Sequence, residues 1–350
     1  MTSLSTAALP VADILPELVL QLEQQLVVVL TAPPGAGKST YLPLFLLQHS
    51  AFANKKIIML EPRRLAAKSI AAYLAQQLGE AVGQTVGYQI RLEQKQCAAT
   101  RLLVVTEGVL IRKMLADPLL DTVDLLIFDE FHERSLQTDL ALALALEVQQ
   151  LNDNLKLLLM SATLDTGKLC QQLQAPLLES HGRSFPVEVC YQTPTNEAIA
   201  LQCAALVLQA LAKHGGNLLV FLPGQREIDQ CAEYLRAKLP DATVKVHALI
   251  GSLTLAEQQA AIAAPPAGQR KVVLATNIAE TSLTIDGISV VIDSGQARAA
   301  VFETRLGFSK LETIQISQAA ATQRAGRAGR LMPGVCYRLD TVEKLSLIHI

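Results

Sequence analysis

Leu125-Leu126-Ile127-Phe128-Asp129-Glu130-Phe131-His132-Glu133-Arg134 joins the plainest structural signal in the chain to the plainest chemical one. Four consecutive apolar residues predict a strand buried on both faces, the pattern of a parallel sheet covered by helices. The run ends on two adjacent carboxylates. In an open α/β sheet, ligands sit just outside the C-terminal ends of the strands. Two acids there can divide the work, Asp129 holding a magnesium ion and Glu130 polarising a water. An acidic pair at a strand end also occurs with no role beyond solvation, so its meaning depends on what flanks it.

Upstream, the Val/Leu run at 26–30 leads into Thr31-Ala32-Pro33-Pro34-Gly35-Ala36-Gly37-Lys38-Ser39-Thr40 and then into a helix through about Gln48. Strand, glycine-rich turn and helix, in that order, make a phosphate loop. The backbone N–H groups of Gly35, Ala36, Gly37, Lys38, Ser39 and Thr40, with the helix N-terminus, suit the β- and γ-phosphates of a nucleoside triphosphate. Lys38 neutralises those phosphates and the Ser39 hydroxyl reaches magnesium. The strict pattern wants Gly at position 32, where this chain has Ala32.

Downstream, Gln323-Arg324-Ala325-Gly326-Arg327-Ala328-Gly329-Arg330 spaces three arginines three apart, which predicts one helical face. Given a triphosphate site in the first half, arginines from the second half are natural stabilisers of charge in phosphoryl transfer. His132 and Glu133 have no third ligand within reach by spacing, so a structural metal is not expected. Ser161-Ala162-Thr163 and Thr106-Glu107-Gly108 each carry little meaning alone.

The rest of the chain alternates. Strands are predicted at 26–30, 56–60, 101–106, 125–129 and 156–161, with helices at 15–24, 65–78, 108–115 and 135–151. The pattern loosens over 175–196, then resumes with a helix at 197–213 and strands at 217–222, 244–248, 271–275, 290–293 and 335–339. This predicts an α/β chain of two tandem domains, each a mostly parallel sheet with helices on both faces. The expected parts are a flexible N-terminus (1–14), a first domain (15–182), a second (183–340) and a tail (341–350).

Composition agrees with that class. Of 350 residues, 50% are hydrophobic and 18% charged with a net charge of −2, which excludes a disordered chain. A pI near 6.3 provides no global basic field, so nucleic acid would have to be held by a local surface. With no Trp and 4% aromatics, stacking on aromatic platforms is not the expected binding mode. Six singly scattered cysteines point to reduced thiols. No secretory signal and no apolar run near the ~20 residues of a membrane span are visible. The expectation is a cytoplasmic protein without membrane contact.

Taken together, Gly35 to Thr40, Pro62-Arg63-Arg64, Thr106-Glu107-Gly108, Asp129 to Arg134, Ser161-Ala162-Thr163, Ala275-Thr276-Asn277-Ile278-Ala279-Glu280-Thr281-Ser282 and Gln323 to Arg330 resemble, in order and spacing, the superfamily 2 DEAH/RHA helicases. The Asp-Glu-Phe-His form of the acidic box is most similar to the bacterial HrpB-type RNA helicases. The resemblance covers about residues 15–340 and implies two RecA-like domains with ATP and Mg2+ between them. It implies phosphate binding by Lys38, magnesium at Ser39 and Asp129, and water activation by Glu130 with Gln323. It further implies arginine fingers at Arg327 and Arg330, ribose contact by Asp286, and coupling of hydrolysis to movement through Ser161 and Thr163. Single-stranded RNA would run along Arg63, Arg64, Arg91, Thr106, Thr276 and Asn277, with DNA as the other candidate strand and little reading of sequence.

Two departures stand out. Where the family stacks a nucleobase between Arg and Phe, the matching positions here are Tyr73 and Gln296, which puts base selectivity in question. The family also continues past the second domain, whereas 341–350 does not resemble that continuation, so the tail reads as a truncation. A β-hairpin, the strand-separating element in this family, is expected within 290–316. The implied function is an ATP-dependent RNA helicase core moving 3′ to 5′ and unwinding duplexes. The alternatives are an RNA-stimulated NTPase that does not unwind, and an ATP-gated RNA clamp. A P-loop kinase would need an acceptor site, and the second α/β domain with its arginine helix fits that reading poorly.

Overall fold

The computed structural model describes residues 9–340 except 34, 163–166, 181–184, 240–242, 281–284, 286, 304–306 and 331. The expected roles of Asp286 and Thr163, and the 341–350 tail, therefore lie outside the described residues. The chain divides into two compact units, Met1–Arg183 and Ser184–Ile350.

In the first unit the order is α1 (Leu15–Gln24), β1 (Val27–Thr31), α2 (Tyr41–Gln48), β2 (Ile57–Leu60), α3 (Arg64–Gln77), β3 (Val86–Ile90), β4 (Glu93–Lys95), β5 (Leu102–Val105), α4 (Glu107–Ala116), β6 (Leu125–Phe128), α5 (Leu136–Leu151), β7 (Lys156–Ser161), α6 (Gly167–Leu173) and β8 (Leu177–Glu179). The strands form one sheet ordered β4-β3-β5-β2-β6-β7-β1-β8, parallel except for the β3–β4 pair. The two-residue period of a strand explains the covering on both faces. Val28, Leu30, Ile57, Met59, Leu125 and Ile127 join the side chains of α1, α2 and α3 in one apolar cluster. Their neighbours Val27, Val29, Ile58, Leu60, Leu126 and Phe128 join α4 and α5 in another. Full burial of such side chains contributes ~1.5–3 kcal/mol each, which is why these runs carry no polar residue until their C-terminal ends.

The second unit runs β9 (Val187–Tyr191), α7 (Ile199–Lys213), β10 (Asn217–Phe221), α8 (Gln225–Lys238), β11 (Val244–Leu249), α9 (Leu255–Ile262), β12 (Arg270–Ala275), β13 (Ile288–Asp293), β14 (Gln296–Glu303), β15 (Phe308–Gln315), α10 (Gln318–Gly326) and β16 (Gly334–Arg338). Its parallel sheet is ordered β11-β12-β10-β13-β16-β9. The hairpin is antiparallel β14–β15, paired from Gln296↔Gln315 to Glu303↔Phe308. All six cysteines are free, with Cys203, Cys231 and Cys336 buried. Among the described residues, no helix is long and apolar enough to cross a membrane.

Three expectations are corrected. Residues 10–14 are not a loose lead-in: Pro10–Ile14 is a 3-10 helix with Val11 buried, and the Val11 N–H donates to Ala36 O at 3.1 Å. The Ser180 hydroxyl also donates to Pro10 O at 2.9 Å. Val11 belongs to the same apolar cluster as Ala36 of the phosphate loop, which holds the segment in place. Second, β3, β4, β8 and β9 were not anticipated, because Val86-Gly87-Tyr88-Gln89-Ile90 interrupts its apolar residues and the other three are sheet-edge strands or carry exposed positions. Third, α10 stops at Gly326, so Arg324, Arg327 and Arg330 do not share one helical face.

Candidate nucleotide and nucleic-acid site

The phosphate loop joins β1 to α2. Gly35 and Gly37 have φ of 83° and 97°, the left-handed region that glycine enters without strain. At Gly37 a Cβ would also lie 3.1 Å from Leu9 Cδ1 and 3.2 Å from Val11 Cγ1, so the N-terminal segment packs against the loop at a position with no side chain. Lys38 is buried, and its ammonium donates to Ala32 O and, at 3.3 Å, to Pro33 O. These are contacts that a bound phosphate would replace.

Asp129 is 1% exposed at the end of β6. Its Oδ1 accepts the Glu130 N–H at 2.9 Å, while Oδ2 is buried without a hydrogen-bond partner among the described residues. Burial, with the neighbouring Glu130 charge, pushes its pKa up to about 7, against the opposing pull of the Ser39 hydroxyl and the Lys38 ammonium. A buried carboxylate with an orphaned oxygen, next to a hydroxyl, fits a hard divalent cation. Among the described residues there is no group of three or more His, Cys, Asp or Glu side chains able to hold a metal. A magnesium ion at Asp129 and Ser39 would therefore have to complete its shell with water and phosphate oxygens, as magnesium does at nucleotide sites.

The chain then makes a tight turn. Glu130 (φ 51°) and Arg134 (φ 47°) both lie in the left-handed region and bracket a 3-10 turn, Phe131–Glu133. Non-glycine residues there cost about 1–3 kcal/mol each and persist only where contacts hold them. His132 supplies one such contact: Nδ1 accepts the Ala162 N–H at 3.2 Å, which assigns the ring proton to Nε2. That nitrogen lies 3.4 Å from Glu130 Oε2. Burial holds the His132 pKa below its usual value, despite the nearby Glu130 and Glu133 carboxylates, so the ring is neutral and the contact is not an ion pair at neutral pH. Ser161 lies beside this arrangement, its carbonyl accepting the Ala32 N–H of the phosphate loop at 3.1 Å. The Ser161–Ala162 peptide segment thus touches both the phosphate loop and the acidic turn.

Two further loops reach the turn. Arg63 pairs with Glu133 at 3.1 Å, with side chains 22% and 24% exposed. Glu107, at the start of α4, accepts from the hydroxyls of Ser135 and, at 2.6 Å, Thr138 at the start of α5. Beside these lies a cleft of about 400 Å³ that gathers Arg64, Arg91 and Thr106 with Gly108 and Arg112. Arg112 was missed by motif reasoning. Its only sequence signal is its position four residues after Gly108, and its Nε donates to Gly108 O at 3.0 Å.

In the second unit, Arg324 is 1% exposed and committed to structure. It donates to Glu280 at 3.2 Å, Asp293 at 2.9 Å and Gln296 O at 3.1 Å, and lies 4.8 Å above the Phe221 ring. Arg327 follows the helix end, with Nε donating to Glu280 O at 2.9 Å. Gln323 and Arg330 are partly exposed on the same segment. Gly329 packs so closely that a Cβ would fall 2.5 Å from Phe185 O, which accounts for glycine between the two arginines. Thr276 precedes a 3-10 turn at the end of β12, with Asn277 exposed.

Residues 13–171 match the DEAD/DEAH box helicase family, and residues 199–332 match the helicase conserved C-terminal domain. The chain belongs to the DEAD/DEAH box helicases. It is 52% identical over 341 residues to the ATP-dependent RNA helicase HrpB of Escherichia coli, covering 97% of this chain and 42% of that protein. It is 36% identical over 344 residues to the ATP-dependent RNA helicase HrpA of Borreliella burgdorferi, again covering 97% and 42%. The crystal structure of the E. coli DEAH/RHA helicase HrpB superposes with a TM-score of 0.92 at 52% identity, covering 97% of this chain and 43% of that one. A structure of the E. coli DExH-box NTPase HrpB gives 0.87 at 51% identity, covering 99% and 43%. The chain thus spans less than half the length of these relatives. The parallel sheets described above are the tandem RecA-like domains of this helicase family.

Proposed function

We propose that this chain is the motor core of an ATP-dependent RNA helicase, hydrolysing ATP in response to single-stranded RNA and moving along it 3′ to 5′ with duplex unwinding. The observation that carries the reading is Asp129, buried with an orphaned Oδ2 beside Ser39 and Lys38, directly before Glu130 at a strand end.

Lys38 binds the β- and γ-phosphates, exchanging its loop carbonyls for phosphate oxygens. Ser39 and Asp129 would hold magnesium, which supplies neutralisation of phosphate charge. Glu130 accepts a proton from the attacking water, and the Nε2 of neutral His132 lies 3.4 Å from that carboxylate. Gln323 orients the water, Arg327 and Arg330 stabilise developing phosphate charge, and Asp286 contacts the ribose. On the first unit, Arg63, Arg64, Arg91 and Thr106 hold the RNA backbone, with Arg112 added by the shape of the cleft; on the second, Thr276 and Asn277 do so. These are contacts of phosphate type, which favours binding that is largely independent of sequence. Ser161 and Thr163 couple the nucleotide to movement, and the chain acts in the cytoplasm.

The test is steady-state ATP hydrolysis with and without single-stranded RNA, on the wild type and Glu130→Gln. RNA stimulation that vanishes in the variant, with ATP binding retained, is the expected result. RNA and ATP binding without turnover in the wild type would replace the motor with an ATP-gated clamp.

A further inference from the structure

We infer that Glu133 is a positioning residue through which RNA and the acidic turn compete for a single cation, Arg63. The inference rests on the proposed binding of RNA along Arg63 and Arg64.

The turn from Glu130 to Arg134 is held against backbone preference, since both of its ends are left-handed. Its ties include the His132 contact to Ala162, the Arg63–Glu133 pair, the Arg134–Asp139 pair at 2.9 Å and the Ser135–Glu107 bond. The contacts of His132 and Ser135 are to a backbone N–H and a carboxylate, neither of which a polyanion would capture. Arg134 is tied within its own segment. The Arg63 pair is different. Its cation belongs to the loop whose next residue, Arg64, lines the cleft with Arg91 and Arg112. At roughly one quarter exposure, the pair can be reached from solvent without being fully hydrated.

A phosphate brought to Arg63 meets a guanidinium already engaged by a carboxylate. Two anions on one cation repel each other, so each weakens the other's hold. Thermodynamic reciprocity fixes the consequence: RNA loosens Glu133, and Glu133 lowers RNA affinity by the same factor. Because Glu133 lies three residues from Glu130, what loosens is the strained turn that positions the water-activating carboxylate. RNA binding within the first unit is thereby communicated to the site of hydrolysis.

The experiment measures binding of a fluorescent single-stranded oligoribonucleotide, and ATP turnover with and without it, for the wild type, Glu133→Gln, Arg63→Gln and the double variant. Glu133→Gln should bind RNA about two- to fivefold more tightly, the range an ion pair of this exposure allows. It should also show a smaller ratio of RNA-stimulated to RNA-free turnover. In the Arg63→Gln background the same change should leave RNA affinity unaltered. Glu133→Asp, which keeps the charge, should return affinity toward the wild-type value. A misfolded variant cannot bind more tightly, so the affinity gain separates this role from a structural one. Unchanged or weaker RNA binding in Glu133→Gln, or equal tightening with Arg63 absent, overturns the inference. A wild-type chain that fails to bind RNA overturns the functional reading, and this inference with it.

Discussion

Replacing Arg324 with Met tests whether the first arginine of the triplet is an anchor rather than a phosphate ligand. The guanidinium bridges two carboxylates, Glu280 at 3.2 Å and Asp293 at 2.9 Å, and covers the Phe221 ring at 4.8 Å. Methionine keeps most of the apolar stem and removes the charge. Asp293 is then left fully buried, with Arg338 Nε at 3.6 Å and the Gly295 N–H at 3.0 Å as remaining partners. Removing one member of a buried pair costs about 3–5 kcal/mol, and the surviving partners place this case near 3 kcal/mol. With m of about 2 kcal/mol/M in urea, the midpoint of the second unit falls by about 1.5 M.

The chain has no Trp, so urea titrations are followed by far-UV circular dichroism, with hydrogen exchange assigning the transition to α10 and β13. The control is Arg298→Met in the same unit, whose partner Glu227 is 3.7 Å away across a partly exposed pair. It should lose no more than about 1 kcal/mol. Arg324→Lys should fall between them, since an ammonium cannot reproduce the forked geometry that spans both carboxylates. A shift for Arg324→Met no larger than for Arg298→Met would refute the anchoring role and return Arg324 to the list of candidate phosphate ligands.

Arg327→Ala should slow ATP hydrolysis by about 10³-fold or more while changing nucleotide affinity far less; single-turnover kinetics beside nucleotide titration would show the split, and a selective loss of binding would contradict a finger role. Arg112→Ala should weaken single-stranded RNA binding evenly across sequences and lower the slope of log K against log salt by about 0.7, the value for one phosphate contact on a single strand. An unchanged slope would remove Arg112 from the track. Gly37→Ala should lose nucleotide binding and also lower the melting temperature, because a left-handed residue then meets Leu9 and Val11. Retained stability with lost binding would show that the N-terminal segment does not support the loop.

The fold was legible because its strands are covered on both faces. A two-faced strand has no polar phase, so Leu125–Phe128 and Ile57–Leu60 appear in sequence as unbroken apolar runs, and the acidic pair that ends the first of them marks the candidate site. The strands that escaped notice lack that property. β4 is a wholly exposed edge strand, and β3 interrupts its apolar residues with Gly87 and Gln89. The segment at Pro10–Ile14 is apolar too weakly and too briefly to show a period. Its burial follows from the phosphate loop it supports, which local sequence does not contain.

The candidate site was legible in its residue types and not in its pairings. Equal spacing makes Arg324, Arg327 and Arg330 interchangeable on a helical wheel, yet α10 ends at Gly326 and each arginine meets a different environment. What sets Arg324 apart is its pairing with Asp293, at the end of β13 and outside every motif, and with the carboxylate of Glu280, which belongs to a different motif after β12. Arg63 presents the same problem in the first unit. Counted along the chain it is one more cation beside Arg64, and only the fold reveals that Glu133 already engages it. A motif records which groups a reaction needs. The free energy of each group depends on its counter-charge, and in a doubly wound sheet that counter-charge arrives from another strand end. A residue's presence in a motif therefore predicts its involvement, while its partner decides whether it meets phosphate, holds a turn or does each in alternation.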